Sequence, residues 1–358
     1  MNDWQVIIPR IPGDPVPIIQ KNMQSLQFYI TGADSLRMGI RLLKNKNEES
    51  PEIDQVRERT SKVVHITHND LDAAGADAIH RMAYGKIVSV FSSVGKFPYI
   101  LDGIADIPGN GDTISISDLG FPRNAERILK KMKANGWVIE WRDHHRWTDE
   151  ETATVRNVVD LLHIDTSLCG CGICANDLQP DNQVAAEVAR VVCDYDLWKH
   201  EDPRSAVLGE VLQRRKNLEY VRDCLSLGIF SDRTIEKEYA DIHTEMQHLT
   251  EKSRKKAVIM GKKYHVVFAP LYGYPSETAA YLRKSLQSDI EVIISPGGRF
   301  SVRSVPPISH LIAREFHGGG HPHAAGGNFD FNLKDRILYF LFRKNEHFDR
   351  FVVVSESF

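Results

Sequence analysis

Short apolar runs alternate with longer amphipathic stretches from residue 63 onward. The strand-like runs are rich in β-branched residues and lie at 63–67, 86–91, 113–117 and 138–141. Helical periodicity is found between or after them, at 73–83, 123–134 and 183–193. Strands that alternate with helices are typical of parallel βαβ units, so we predict an α/β fold with a parallel sheet.

The second half of the chain begins with a different pattern. Residues 208–256 are charged and contain little Gly or Pro, which predicts a helical segment with a break near Gly228. Strand patterns return at 264–268, 290–294 and 299–305, a helical segment is predicted at 308–316, and residues 329–342 close the domain. We therefore predict an N-terminal extension of unknown role (1–58), a first α/β domain (59–205), a helical linker (206–256) and a smaller α/β domain (257–358).

Composition changes this picture only slightly. The chain has 358 residues, 42% hydrophobic and 26% charged, as in an ordinary globular protein. No apolar run approaches the roughly 20 residues of a membrane span, and the first residues lack a secretory pattern, so we expect a cytoplasmic protein without a membrane partner. Residues 251–358 carry 16 Lys+Arg and 10 Asp+Glu, against 29 and 38 in the preceding residues. An acidic part could hold divalent metals and a basic part an anionic substrate, although chance surface variation would explain the same asymmetry.

Polar clusters follow three of the predicted strands. They are His68-Asn69-Asp70-Leu71-Asp72, Asp118, and Asp143-His144-His145. Ligands of open α/β sheets bind at the carboxyl ends of the strands, so these residues are expected to converge on one site. A further acidic pair, Asp194 and Asp196, ends the helical segment at 183–193.

These side chains predict a centre of two divalent metals. Asp70 and Asp72 could each reach a different ion, and Asp118 could bridge two ions about 3.5–4 Å apart. Imidazoles mixed with carboxylates favour Mn²⁺, with Mg²⁺, Co²⁺ or Fe²⁺ as alternatives. The other interpretation of Asp70 and Asp72 is that they cap the helix that starts near Ala73.

A Gly-rich stretch near the end of the chain predicts an anion site. Gly318, Gly319 and Gly320 would let the backbone approach an anion, and His321 and His323 would add donors. Arg303 could clamp a phosphate through two hydrogen bonds. Three clustered cysteines, Cys169, Cys171 and Cys174, fit local packing better than a zinc site.

The motifs from about residue 63 to 327 resemble the DHH phosphoesterase superfamily, which includes RecJ exonucleases, family II pyrophosphatases, cyclic-dinucleotide phosphodiesterases and nano-RNases. The resemblance implies a DHH domain and a smaller associated domain, with the active site in the cleft between them. Many relatives have the first histidine four residues before the first aspartate, where this chain has Ile66. Here His68 stands two residues before Asp70, as in some nuclease branches.

The resemblance also implies residue roles. One metal would be held by His68, Asp70 and Asp118. The other would be held by Asp72, Asp118, His144 and Asp196, with Asp194 as the alternative to Asp196. His145 would face the substrate phosphate, and Asp143 would orient a histidine. The phosphate would also be bound from the associated domain by Arg303, His321, His323 and the glycines 318–320.

The loop sequence GGGHPHAAG resembles that of nano-RNases, which implies an enzyme that cleaves short single-stranded oligonucleotides or dinucleotides to 5′-mononucleotides with a metal-activated water. A homodimer would be compatible with this. The alternatives are a phosphatase of small nucleotides such as 3′-phosphoadenosine 5′-phosphate, a RecJ-like exonuclease, and a non-catalytic nucleic-acid-binding scaffold.

Overall fold

A computed structural model describes residues 4–7, 16–21, 26–30, 50–122, 124–342 and 345–358. Most of the extension predicted at 1–58 therefore lies outside the described residues. Its described part includes three short antiparallel strands, β1 (Trp4–Ile7), β2 (Val16–Lys21) and β3 (Leu26–Ile30). The chain divides into two units, one comprising 1–68 and 83–173 and the other 69–82 and 174–358.

The remaining strands follow in chain order. They are β4 (Val63–Thr67), β5 (Val88–Phe91), β6 (Thr113–Ser117), β7 (Val138–Asp143), β8 (Leu161–Ile164), β9 (Val258–Met260), β10 (Val266–Pro270), β11 (Ile290–Ile294), β12 (Arg299–Ser304), β13 (Gly319–His321) and β14 (Ala324–Asn328).

The α-helices are likewise numbered along the chain. They are α1 (Pro51–Arg57), α2 (Leu71–Tyr84), α3 (Phe97–Ile104), α4 (Ala125–Ala134), α5 (Asp149–Arg156), α6 (Gly170–Leu178), α7 (Gln183–Asp196), α8 (Pro203–Val211), α9 (Leu218–Ser226), α10 (Arg233–Arg254), α11 (Pro275–Leu286), α12 (Ser309–Arg314), α13 (Leu333–Phe342) and α14 (Glu346–Glu356). In the part of the chain that is described, no helix is both long and apolar enough to cross a bilayer.

The first unit contains a parallel sheet with the strand order β5-β4-β6-β7-β8. Every residue of β4 is buried, as expected for a strand covered on both faces. Helix α4 turns Ile128, Leu129 and Met132 inward at the spacing of one helical face, against a core that includes Trp137 and Trp141. The predicted α/β class and parallel sheet are confirmed.

The second unit contains a six-stranded mixed sheet with the order β13-β14-β12-β11-β10-β9. Only the pair β10 and β11 is parallel, and the other four pairs are antiparallel. The predicted break near Gly228 is confirmed, because α9 ends at Ser226 and Gly228 has a φ of 72°. The three predicted boundaries between the four segments stay predictions.

Three predictions about local structure need correction. The fourth strand runs on to Asp143, because Arg142 and Asp143 pair with β8, a strand that was not predicted. The Gly-rich stretch is not an open loop but a hairpin, in which Gly319–His321 pairs with residues 324–326. Helices α3 and α5 were also missed. The start of α5 carries a recognisable signal, since Thr148 and Glu151 form a capping box.

Candidate metal centre and anion cavity

The sheet order of the first unit explains why three polar clusters meet. Strands β4, β6 and β7 are adjacent and parallel, so their carboxyl ends lie at one edge of the sheet. His68 follows β4, Asp118 follows β6, and His144 follows β7 directly. The predicted convergence of these residues is therefore a consequence of strand adjacency.

Asp118 lies between two imidazoles. Its Oδ1 is 3.2 Å from Nε2 of His144, and its Oδ2 is 4.0 Å from Nδ1 of His68. The carboxylate is only 5% exposed, and its backbone is left-handed, with φ 52°, a conformation that Asp tolerates better than most residues. One carboxylate with an imidazole at each oxygen is a donor set that fits a bridging ligand between transition metals.

His145 completes this group. Ligand atoms of Asp118, His144 and His145 all lie within 4.8 Å of one another, and the two imidazole centroids are 4.7 Å apart. These three residues could hold a metal ion without rearrangement of the strands that carry them.

Asp143 is a fully buried anchor beneath His145. Its Oδ1 accepts a hydrogen bond from Nδ1 of His145 at 2.8 Å, and its Oδ2 accepts one from Nε1 of Trp147 at 2.7 Å. A carboxylate oxygen can only accept here, so the proton that His145 donates is on Nδ1. The sequence predicted that Asp143 orients a histidine, but it did not predict that the Trp147 indole holds Asp143.

Aromatic packing fixes Trp147 itself. Its ring makes edge contacts with Trp141 at 5.1 Å and with Phe121 at 5.6 Å between centroids. Trp141 is fully buried and donates its own indole N–H to the Leu119 carbonyl. The indole that holds Asp143 is thus supported by the hydrophobic core.

Asp70 and Asp72 lie at the start of α2. Oδ1 of Asp70 accepts a hydrogen bond from the Ala73 amide at 3.0 Å, so the capping role considered for this residue is observed. Asp72 is 1% exposed, which is unusual for a carboxylate. Metal binding by either residue stays a prediction.

Asp194 and Asp196 differ clearly in their surroundings. Asp194 accepts hydrogen bonds from the amides of Glu201 and Asp202 and, at 2.5 Å, from the hydroxyl of Ser205. Burial raises the pKa of Asp194, but these hydrogen bonds outweigh burial and leave the pKa below its usual value. Asp194 therefore holds the turn after α7, whereas Asp196 lines a cavity of the second unit.

That cavity, of about 610 Å³, brings several predicted anion-binding groups together. The side chains that line it include Asp196, Trp198, Ser276, Arg283, Arg303 and His323. Its size is within the range of small-molecule sites. Of the predicted substrate-binding histidines, His323 lines the cavity, whereas His321 is exposed on β13 and is not among its lining residues.

Hydrogen bonds position the guanidinium of Arg303 in this cavity, where it could bind an anion. Its guanidinium donates to the hydroxyls of Ser276 and Ser301, both at 2.9 Å, and to the Val302 carbonyl. No ion pair of Arg303 is found within the described residues, and burial lowers its pKa although Glu277 opposes that effect. His323 donates from Nδ1 to the Ser304 carbonyl at 3.1 Å, which leaves Nε2 for a ligand.

The glycines of the hairpin have a packing explanation. A Cβ on Gly318 would lie 1.9 Å from the carbonyl oxygen of Gly326, so only glycine allows this close approach. Gly319, by contrast, has nothing within 4 Å of the same position. Gly319 is consequently the residue whose backbone has room for a ligand.

No family model matches the chain. Oligoribonuclease NrnB of Bacillus subtilis (strain 168) is 25% identical over 293 residues, which cover 73% of this chain and 71% of that protein. This similarity supports the resemblance of the strand-end motifs to the DHH phosphoesterases and supports an enzyme that acts on phosphate esters.

Two solved structures also align with the chain. A pGpG-specific phosphodiesterase, PggH from Vibrio cholerae, has a TM-score of 0.48 and 12% identity, with 78% of this chain and 97% of that chain covered. The DHH domain of a member of the s1p family of ribosomal proteins has a TM-score of 0.47 and 14% identity, with 84% and 87% covered. At TM-scores below 0.5, neither structure adds to the assignment.

Two aromatic residues and one cation near these sites were not predicted from the sequence. Trp147 lies in the irregular segment between β7 and α5 and Trp198 in the turn after α7, where neither helical nor strand periodicity gives a signal. Arg283 lies on α11 and pairs with Glu291, with Nη2 and Oε2 2.5 Å apart. A pattern search cannot separate it from the other cations of a solvated helix.

Proposed function

We propose that the chain is a metal-dependent phosphodiesterase that hydrolyses short oligonucleotides or dinucleotides to 5′-mononucleotides. The observation that carries this proposal is that Asp196, a predicted metal ligand, shares one cavity with Arg303 and His323. A carboxylate suited to a metal beside a guanidinium and an imidazole suited to phosphate is the chemistry that a phosphodiester requires. The oligoribonuclease named above supports the choice of substrate class.

The proposed ligands are those of the two-metal arrangement. His68, Asp70 and Asp118 would hold one ion, and Asp72, Asp118, His144 and Asp196 the other, with Mn²⁺ favoured by the mixture of imidazole and carboxylate. Ions bound there would lower the pKa of a water and neutralise charge on the phosphoryl group. The position of Asp118 between His68 and His144 supports its bridging role.

The chain's own residues would orient the phosphodiester. Asp143 orients the ring of His145, and this imidazole would contact a phosphoryl oxygen of the substrate. Arg303, which two serine hydroxyls hold in place, would bind another oxygen of the substrate. Gly319 and His321 would contribute backbone and imidazole donors from the hairpin. Gly318 and Gly320, which were also predicted to bind substrate, pack closely against β14 and would instead shape the hairpin.

The test is hydrolysis of a 5′-labelled ladder of RNA and DNA, from dinucleotides to long oligomers, with Mn²⁺. Rapid loss of only the shortest species, abolished by Asp118→Ala, is the expected result. Degradation of the long species would indicate a RecJ-like exonuclease. Turnover of 3′-phosphoadenosine 5′-phosphate alone would indicate a phosphatase, and no turnover of any substrate would indicate a non-catalytic binding protein.

A further inference from the structure

An exposed tryptophan stands at the end of α7 in an unfavourable backbone conformation. Trp198 is 54% exposed and has a φ of 57°. The amide of Lys199 donates to the Asp194 carbonyl, and the amide of Trp198 donates to the Tyr195 carbonyl, at 2.9 and 3.0 Å. These two bonds form a Schellman motif, in which Trp198 occupies the left-handed position that glycine usually fills. A bulky residue there disfavours the folded backbone, so its side chain calls for another explanation.

Neighbouring rings hold the indole in place without covering it. His200 makes a T-shaped contact with Trp198 at 4.3 Å between ring centroids, and Tyr195 lies tilted at 6.2 Å. His200 also has a left-handed backbone, with φ 54°. The turn thus presents an oriented aromatic surface to solvent.

The cavity beside Trp198 supplies the complementary chemistry. Arg303 and His323 line it together with Trp198, and Arg303 has no ion pair within the described residues. Arg283 is less available, because it pairs with Glu291. An aromatic platform next to a phosphate-binding cation is the combination with which proteins bind single-stranded nucleic acid.

We propose that Trp198 stacks on a base of the bound substrate while Arg303 holds a phosphate of the same substrate. This inference rests on the proposed function and refines it, since the site then requires a nucleobase and not merely a phosphate. Stacking also predicts tolerance of base sequence, because every base has a π-face. Inorganic polyphosphates and sugar phosphates would bind weakly for lack of a base.

The experiment uses the full chain with Mn²⁺ and compares Trp198→Gly, Trp198→Phe and the unaltered protein. Substrates are an RNA dinucleotide and its two forms with one abasic residue. Trp198→Gly is expected to raise KM for the dinucleotide about 5- to 150-fold, as for loss of one base–aromatic stack. Trp198→Phe should retain most of the binding. One of the two abasic forms should bind the unaltered protein weakly and respond little to either substitution.

Thermal melting separates binding from folding. Because glycine adopts the left-handed conformation without steric cost, Trp198→Gly should melt at or above the temperature of the unaltered protein. Tyr99→Ala removes another exposed aromatic ring, outside the cavity lining, and should leave KM unchanged.

Three outcomes would contradict these proposals, and each contradicts a different part of them. If the unaltered protein hydrolyses no dinucleotide, the proposed function fails. If it does so and Trp198→Gly has an unchanged KM, stacking by Trp198 is refuted while the proposed function stands. If Trp198→Gly raises KM equally for both abasic forms and the intact dinucleotide, Trp198 acts through its neighbours rather than through a base.

Discussion

Trp147→Phe tests whether Asp143 orients His145 through an indole. The Nε1 of Trp147 is 2.7 Å from Oδ2 of Asp143, a fully buried carboxylate whose other oxygen accepts from His145. Phenylalanine lacks the indole N–H, so Oδ2 of Asp143 loses this hydrogen bond. A hydrogen bond to a charged group contributes about 1.5–3 kcal/mol. If the loss is felt fully in the transition state, kcat falls roughly 10- to 150-fold.

Trp137→Phe is the matched control. Trp137 is fully buried in the first unit, whereas Trp147 is partly buried, and the indole N–H of Trp137 donates to the Ile107 carbonyl, a neutral group, at 2.8 Å. Both substitutions remove the same ring atoms, so the cavity left at Trp137 should cost at least as much stability as the one at Trp147. The neutral hydrogen bond contributes only about 0.5–1.5 kcal/mol to folding and nothing to the site.

The assay is kcat for an RNA dinucleotide at saturating Mn²⁺, together with urea unfolding of both variants. We expect both variants to lose stability and only Trp147→Phe to lose kcat by tenfold or more. Equal kcat values in the two variants would refute the reasoning, because orientation of His145 would then not depend on Trp147.

Three further results are expected. Asp118→Asn should reduce Mn²⁺-dependent hydrolysis to below about 1% of the unaltered rate. Loss of a bridging ligand should exceed the 10- to 100-fold effect of losing a residue that only hydrogen-bonds to a metal ligand. Calorimetric Mn²⁺ binding as tight as in the unaltered protein would contradict this prediction. Gly318→Ala should lower the free energy of urea unfolding by about 1–3 kcal/mol, because an added Cβ would meet Gly326. Gly319→Ala should change that free energy by no more than about 0.5 kcal/mol and raise KM instead. Equal losses of stability in the two variants would exclude the packing explanation. Because the pKa of Asp194 is lowered in the folded protein, its carboxylate stabilises the fold above the usual pKa of about 3.9, and this stability is lost as the pH falls below that value. The difference in unfolding free energy between Asp194→Asn and the unaltered protein should therefore shrink between about pH 5 and pH 3. A difference that stays constant over this range would contradict the prediction.

The first sheet could be predicted because its central strands, β4 and β6, are almost wholly buried. Strands covered on both faces are rich in β-branched residues, as are β4, β6 at Thr113, Ile114 and Ile116, and β7 at its start. Strand β8 was missed since it is only four residues long and half-buried throughout, so its sequence lacks that contrast. Helix α3 was missed although its buried positions, Phe97, Ile100, Leu101 and Ile104, are spaced as one helical face.

The metal motifs could be predicted for a topological reason. Once the strands are parallel and adjacent, residues that follow them must meet at one edge of the sheet, whatever the separation in sequence. Asp118 and His144 are such residues. Trp147 could not be predicted in the same way, because its contact with Asp143 depends on the course of the chain beyond the strand end.

The end of α7 shows most clearly what a sequence leaves undecided. Asp194 and Asp196 are both carboxylates in the last turn of the helix, and Trp198 follows two residues later. Asp194 becomes a structural anchor only because Ser205 and the amides of Glu201 and Asp202 return to it. That return fixes the turn that contains Trp198 and leaves Asp196 at the cavity. Anchor, candidate ligand and aromatic platform are thus distinguished by hydrogen-bond partners that arrive later in the chain, not by their residue types.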